Sequence, residues 1–339
     1  MSFKIKKFIV LIVFCIIMIA GGFLLLFYHY MITPNISSKG NNIFVVDRNA
    51  FFKIIVNDLQ EANLISYKNI FYFYSRIKGY DKKIKAGEYN LNGKNPLQIL
   101  DILLKGIIIA HSVTIPEGYT IIQIAELLEK KGIVTGDEFL AIANNKHHAL
   151  SFGFSAPTLE GFLYPDTYLF SRKLPPKKII ECMVNRFREV IADLNINYQH
   201  IGMGLEEIIT LASIVEKETG QADERSLIAS VFINRLKEKM RLESDPTVIY
   251  GIKNFNGNLT KKDLKEKTPY NTYSHRGLTP GPISNPGRAA IEAVLFPEDT
   301  DYLYFVSKND GHHSFSRTLA EHNRAVRIFQ KSRGHHKAR

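Results

Sequence analysis

The N-terminal stretch FIVLIVFCIIMIAGGFLLLFYHY, Phe8 to Tyr30, constrains the fold most, because it is apolar almost without interruption. A helix of about twenty apolar residues is long enough to cross the hydrocarbon core of a bilayer. The run is longer than the apolar region of a typical signal peptide, and no small-residue cleavage site follows it. The sequence therefore predicts a retained transmembrane helix at residues 8–30.

The charges on either side of this run predict its orientation. Lys4, Lys6 and Lys7 precede it, whereas few positive residues follow it directly. By the positive-inside rule, residues 1–7 are expected in the cytoplasm and the bulk of the chain outside. The polar, turn-rich residues 31–42 are expected to form the linker between the membrane helix and the folded part.

The overall charge and the cysteines restrict the possible partners. The formal net charge is +11, with a basic tail at residues 331–339. No nucleic-acid-binding motif is present, so anionic lipid or an acidic polymer is the expected binding partner, with a solvated basic surface as the alternative.

Cys15 and Cys182 cannot sensibly pair, so neither a disulfide framework nor a cysteine metal site is expected. We predict no metal and no cofactor, in a bacterial-type envelope protein.

Short strand, turn and helix signals alternate through residues 43–135. IFVV predicts a strand, and apolar periodicity predicts helices at residues 49–64 and 121–131. Between them, AGEYNL predicts a strand and NPLQILDILLKG a helix that Asn95 caps and Gly106 ends. This region is predicted to be one strand-helix subdomain.

Residues 136–330 have a different composition and are predicted to form a mixed second domain, making the fold class α+β. The segment TLEGFLYPDTYLF contains Glu160 and Asp166 and predicts a core strand with a turn. Helices are expected at residues 205–219 and 224–242, followed by turn-dense segments and a hairpin with the adjacent His312 and His313. Long loops beside a helical floor predict a groove for a polar ligand.

The stretch LASIVEKETG places two glutamates near the end of the first of these helices. Glu216 and Glu218 are two residues apart, so they point about 200° apart on a helix and cannot act as a carboxylate pair. Glu218 continues the more apolar stripe, which favours it as an enclosed acid without excluding Glu216. Desolvation would raise the pKa of an enclosed glutamate towards the range of a general acid. Gly220 is expected to stop the helix.

Several ordered motifs resemble one enzyme family. LASIVEKET is followed by ASVFINRL, DPTVIYG, YNTY, GLTPGPISNPG and YLYFV…GHHSF. This series resembles the membrane-anchored endolytic murein transglycosylases, the MltG or YceG-like proteins, from the anchor to about Val326. The resemblance implies a lyase that cuts peptidoglycan glycan strands internally, at the MurNAc-GlcNAc bond, and leaves 1,6-anhydro-MurNAc ends, terminating strand elongation. It also implies that residues 43–135 are a LysM-like peptidoglycan-binding subdomain and residues 136–330 the catalytic domain.

The resemblance assigns the catalytic role to Glu218, which precedes Thr219. One glutamate suffices for a lytic transglycosylase, because the 6-hydroxyl of the sugar is the nucleophile. It also implies an inner-membrane location, peptidoglycan strands as substrate and penicillin-binding synthases as candidate partners. The residues considered for substrate contact are Asn271, Tyr273, Thr247, Glu160 and Asp166.

Two alternative functions stay open at this point. One is a hydrolytic muramidase with Glu218 as the acid and Glu160 or Asp166 as the base, since such enzymes usually need a second carboxylate. The other is a non-catalytic scaffold that binds glycan and recruits wall synthases.

Overall fold

The computed structural model describes residues 3–35, 43–47, 50–172, 174–194 and 202–331. The chain divides into two compact units. The first comprises Met1–His111 and Phe170–Leu174, and the second comprises Ser112–Leu169 and Pro175–Arg339. This division differs from the functional boundary expected at residue 135, which stays a prediction, as do the other domain boundaries. The basic tail beyond residue 331 lies outside the described residues.

The first helix, α1, runs from Phe3 to Ile32 and includes the predicted membrane span. Its segment Leu11–Ile32 is long and apolar enough to cross a membrane. The side chains of this segment are largely exposed rather than packed into a core, which suggests a single-pass anchor.

The rest of the first unit has a small core between one sheet and three helices. Strand β1 (Ile43–Val46) pairs antiparallel with β2 (Gly87–Asn90), with Phe44 opposite Tyr89. The helices are α2 (Phe52–Glu61), α3 (Lys68–Ile77) and α4 (Pro96–Lys105). The chain from β1 to β2 thus has the order strand, helix, helix, strand, and its LysM-like character stays a prediction.

Local signals explain why α4 forms where the sequence predicts it. The Asn95 side chain accepts the Gln98 backbone N–H, and the Gln98 side chain accepts the Asn95 N–H in return. This capping box satisfies two otherwise unpaired donors at the first turn. Gly106 ends the helix in the left-handed region at φ 71°, where glycine has no steric penalty.

The second unit is mainly helical. Its elements in chain order are β3 (His111–Thr114), α5 (Ile121–Lys130), α6 (Gly136–Ala143), α7 (Lys146–Ser151), β4 (Thr167–Phe170), α8 (Pro176–Asp193), α9 (Leu205–Glu218), α10 (Arg225–Lys237), α11 (Asp245–Gly251), α12 (Arg288–Leu295), β5 (Tyr304–Ser307), β6 (His313–Ser316) and α13 (Leu319–Val326). Short 3-10 turns lie at Ala222–Glu224 and Asp263–Lys265, and a π-helical turn at Arg327–Lys331 ends the described chain. The strands form two further two-stranded sheets, β3 with β4 and β5 with β6.

Helix α9 is the centre of this unit. It packs against α10, α11 and α12, and all eight residues from Ile208 to Val215 are buried. A helix that is apolar on every side has no single core face. The angular argument that separated Glu218 from Glu216 by one apolar stripe therefore does not describe this helix.

The end of α9 also differs from the expectation. The last residue of the helix is Glu218. Thr219, rather than Gly220, stops the helix, because the Thr219 backbone is extended at φ −140° and ψ 139°. The Thr219 hydroxyl accepts the Gln221 backbone N–H at 2.9 Å, which starts the turn into the Ala222–Glu224 segment.

Candidate active site

Glu218 is the last residue of α9, and its side chain is only partly enclosed. The Ser244 hydroxyl donates to its Oε1 atom in a short hydrogen bond. Ser244 itself is 2% exposed and immediately precedes α11. The carboxyl therefore has a fixed hydroxyl donor on one oxygen and some access to solvent.

Two threonines hold Ser244 in place. Its backbone N–H donates to the Thr272 hydroxyl at 3.0 Å, and its carbonyl accepts the Thr247 hydroxyl at 2.6 Å. The two threonine hydroxyls are 2.8 Å apart and bond to each other. Thr247, a predicted substrate contact, is thus buried behind Ser244 with its hydroxyl already bonded; direct contact with substrate through it stays a prediction.

Arg235 fixes the segment that leads to Ser244. From α10, its guanidinium donates to the carbonyls of Arg241 at 3.2 Å and Leu242 at 2.8 Å. It also bonds the Leu303 carbonyl at 2.6 Å, next to β5. Only 7% of Arg235 is exposed. Sequence analysis missed both Arg235 and Ser244, since neither belongs to a familiar catalytic spacing.

A second polar pair lies beside Glu218. The Tyr273 hydroxyl donates to Asp245 Oδ1 at 2.7 Å, and Asp245 is exposed at the first turn of α11. Burial raises the pKa of Tyr273, and the negative charges of Asp245 and Glu218 add to the shift. Tyr273 is thus near the Glu218 carboxyl, its contact with substrate stays a prediction, and Asp245 is an additional candidate.

Burial raises the pKa of Glu218 to about 7. The Ser244 hydrogen bond opposes this shift by favouring the charged form, the Asp245 charge adds to it, and the Arg235 charge opposes it. A carboxyl with a pKa near neutrality can both donate and accept a proton at physiological pH.

Glu216 occupies a different environment from its neighbour. Its side chain is 8% exposed and lies 4.0 Å from the Arg225 guanidinium. Its Oε2 accepts the Gly287 backbone N–H at 3.1 Å, at the start of α12. These contacts describe a structural carboxylate that joins α9 to α12.

Glu160 lies at a buried junction of several segments. Its carboxyl accepts the Ile121 N–H at 3.0 and 3.1 Å, the Asn285 amide at 2.9 Å and the Tyr250 hydroxyl at 3.1 Å. Burial raises its pKa to about 8, although these hydrogen bonds and the Lys217 charge lower it. Only 2% of Glu160 is exposed. Its burial and its four hydrogen bonds to protein donors leave little access for a sugar.

The last two candidates also have protein partners. Asp166 forms an ion pair with Arg186 at 2.6 Å and accepts the Thr167 N–H at 2.7 Å. Asn271 is fully buried, and its amide donates to three backbone carbonyls, those of Asp263, Leu264 and Glu266. The charges that act on Glu218 are those of Asp245 and Arg235, not of Glu160 or Asp166.

The adjacent histidines of the hairpin share one partner. His313 Nδ1 lies 2.7 Å from Glu224 Oε2, and His312 Nδ1 lies 3.4 Å from Glu224 Oε1. His312 belongs to the turn that precedes β6, and His313 is the first residue of that strand. The pair attaches the hairpin to the segment that follows α9.

A partly accessible carboxyl with a pKa near neutrality and a fixed hydroxyl donor has the features of a general-acid site. The chain belongs to the YceG-like family, whose model matches residues 44–328. An endolytic murein transglycosylase of Bacillus subtilis is 32% identical over 82% of this chain and 82% of its own length. One of Streptococcus pneumoniae serotype 2 is 28% identical over 95% of this chain and 65% of its own.

A solved structure supports the same relationship. The crystal structure of a YceG-like protein from Listeria monocytogenes has 34% sequence identity and a TM-score of 0.58. It covers 83% of this chain and 98% of its own. The relatives named as murein transglycosylases have a lyase activity on peptidoglycan.

Proposed function

We propose that this protein is an endolytic peptidoglycan lytic transglycosylase with Glu218 as its catalytic acid and base. It would cleave the MurNAc-GlcNAc bond within nascent strands, form 1,6-anhydro-MurNAc ends and so terminate strand elongation. The observation that carries the proposal is the partly accessible Glu218 carboxyl, which accepts a hydrogen bond from the Ser244 hydroxyl and whose pKa burial raises to about 7.

In this mechanism Glu218 first gives its proton to the glycosidic oxygen as the bond to C1 breaks. The leaving sugar departs with a hydroxyl, and positive charge develops at the ring of the other sugar. The Glu218 carboxylate then takes the proton of the 6-hydroxyl as that oxygen attacks C1 and closes the anhydro ring. Each step uses the same carboxyl in the opposite protonation state, which a pKa near neutrality permits.

The neighbours of Glu218 have distinct roles in this proposal. The exposed Asp245 carboxylate lies where it can offset the positive charge of the transition state. Tyr273 orients Asp245 and faces the sugar, while Thr247 and Asn271 support the loops from behind. We assign structural roles to Glu160 and Asp166, whose carboxyl groups bind other protein groups, and no direct role in the reaction.

The proposal also covers the location of the enzyme. With the N-terminal lysines in the cytoplasm, the catalytic unit lies outside the bacterial inner membrane. Residues 43–135 would bind peptidoglycan as a LysM-like subdomain. Penicillin-binding synthases are the candidate partners, because the substrate is the strand that they extend.

Mass spectrometry of glycan strands treated with the full-length protein tests this function. We expect internal cleavage and anhydro ends, which lack the water that hydrolysis adds. Reducing ends that contain the added water would instead identify a muramidase. Intact strands with bound protein would identify a scaffold, and either result would overturn the proposal.

A further inference from the structure

The outer end of α1 packs against α3 of the first unit. The Tyr30 hydroxyl donates to the Tyr67 carbonyl at 3.2 Å, and their rings are 5.3 Å apart. Farther along, the ring centroids of Phe27 and Tyr74 are 5.8 Å apart. The contacts with α3 therefore extend from its N-terminal cap to its last turn and join it directly to the membrane span.

These contacts give α3 a direction relative to the span. The start of α3 meets Tyr30, whereas Tyr74, seven residues after Tyr67, meets the earlier residue Phe27. Helix α3 therefore crosses α1 obliquely, and its C-terminal part lies nearer the apolar part of the span than its start does. Phe27 lies about 7 Å inside the end of α1 at Ile32, at 1.5 Å per residue. The last turn of α3 consequently lies at the depth of the outer apolar layer.

The residues at this end of α3 are apolar and exposed. Phe73 is 63% exposed and Ile77 is 84% exposed. Positions 73 and 77 are four residues apart, so they lie on one face of the helix. We call Phe73 and Ile77 the α3 apolar surface. Large apolar side chains that lie together on a solvent-exposed surface usually have an interaction partner.

Basic side chains follow directly at the C-terminal end of α3. The stretch from Arg76 to Lys85 contains five basic residues and one acidic residue, Asp81. The basic side chains are all exposed. Lysine and arginine beside inserted apolar groups bind the anionic headgroups at a membrane surface.

A cleft between α1 and α3 has the same character. Its volume is about 450 Å³. It is lined mainly by apolar and aromatic residues, namely Phe23, Leu26, Phe27, Tyr30, Tyr67 and Ile70. Because Phe23 and Leu26 belong to the predicted span, this cleft opens at a level where lipid chains are available to fill it.

We propose that the α3 apolar surface inserts into the outer leaflet of the membrane that α1 crosses, with the basic residues after α3 bound to anionic headgroups. The partner is the phospholipid surface itself. The folded part of the first unit then has a fixed orientation on the bilayer surface, because both α1 and α3 contact the membrane. This inference depends on α1 as a membrane anchor and not on the catalytic proposal.

The natural absence of tryptophan allows a direct test. Phe73→Trp in the full-length protein introduces a single tryptophan at the proposed contact, which can be excited selectively over the tyrosines. Phe296→Trp is the matched control, since Phe296 is 69% exposed in the second unit. Both variants are reconstituted in vesicles of phosphatidylcholine with phosphatidylglycerol, with and without lipids brominated near the headgroup. We expect blue-shifted, strongly quenched emission from Phe73→Trp and neither effect from Phe296→Trp.

Other outcomes would overturn the proposal. Emission from Phe73→Trp that resembles tryptophan in water would show that the surface stays solvated. A blue shift without quenching would show that protein, such as a second copy of the chain, covers it. Equal quenching in vesicles that lack phosphatidylglycerol would remove the role given to the basic residues. Ile77→Trp provides a second position should Phe73→Trp fold poorly.

Discussion

Glu218 and Glu160 are two carboxyls of the second unit whose pKa values burial raises, to about 7 and about 8. Their hydrogen bonding differs. Glu160 accepts from Ile121, Asn285 and Tyr250 and is 2% exposed. Glu218 accepts from Ser244 and is partly open to solvent.

The comparison separates a structural acid from one available for chemistry. A raised pKa shows that a carboxyl has been removed from water. This happens both at buried structural positions and in active sites, so the pKa alone does not distinguish them. Only a carboxyl with an accessible oxygen can reach the proton of a substrate. We therefore expect the same substitution, glutamate to glutamine, to affect activity at Glu218 and the pH dependence of stability at Glu160.

The largest effect is expected at Glu218. Glu218→Gln preserves shape but cannot give and reclaim a proton, so release of anhydro-ended fragments should fall about a hundredfold or more. Its melting temperature should not fall, because a neutral amide is easier to enclose than a carboxylate. The measurement is fragment release by mass spectrometry together with thermal melting.

Glu216→Gln is the matched control on the same helix. It keeps an acceptor for the Gly287 N–H but loses the charge beside Arg225. We expect most of the activity to survive, with a loss of stability of about 1–2 kcal/mol. A well-folded and fully active Glu218→Gln would remove the catalytic assignment. The reverse pattern would transfer the role to Glu216.

Serine 244 distinguishes the Glu218 site further. Its hydroxyl favours the charged form of Glu218, so Ser244→Ala should raise the pKa of Glu218 and move the alkaline limb of the pH-rate profile upward. Loss of the donor should also lower the rate about tenfold, equivalent to about 1.4 kcal/mol.

Ser230→Ala controls for the loss of any buried hydroxyl. Ser230 is 3% exposed and bonds Thr300 at 2.7 Å. Its removal should alter stability without moving the pH profile. An unchanged alkaline limb in Ser244→Ala would mean that Ser244 does not set the pKa of Glu218.

Local sequence signals predicted much of the fold. The membrane span, β1, α4 with its Asn95 cap, α9 and the hairpin at Asn309 to Gly311 all occur where periodicity and turn chemistry place them. Helix α3 was not predicted, because it is short and its N-cap residue, Tyr67, makes no side-chain capping bond that would mark its start. It is defined by packing against α1 and α2.

The site was predictable only in part. Glu218 could be singled out from its motif, but Ser244 and Arg235 reach it from 26 residues later in the chain and from another helix. Asn271 and Thr247 were considered for substrate contact as polar residues of the ordered motifs, and that role stays a prediction. Long-range folding buries both side chains and gives them backbone partners that no sequence spacing reveals.

The smallest effect on activity is expected at Glu160. With its pKa raised to about 8 from 4.5, Glu160 is neutral in the folded protein at neutral pH but ionised in the unfolded chain. Its contribution to stability is thus fully present below pH 4.5 and is lost as the pH rises through about 8. A glutamine there can accept from Ile121 and Asn285 and donate to the Tyr250 oxygen.

Glu160→Gln should therefore keep most of the activity and reduce the fall in stability between about pH 5 and pH 8. Urea unfolding at several pH values across this range measures the free energy of unfolding. The pH dependence that remains in Glu160→Gln is expected from groups such as Glu218, whose raised pKa acts in the same direction. Glu189→Gln removes a carboxyl that is 66% exposed and should leave the curve unchanged. A folded Glu160→Gln with a hundredfold lower rate would place Glu160 in the chemistry, since a junction residue that keeps its hydrogen bonds cannot account for such a loss.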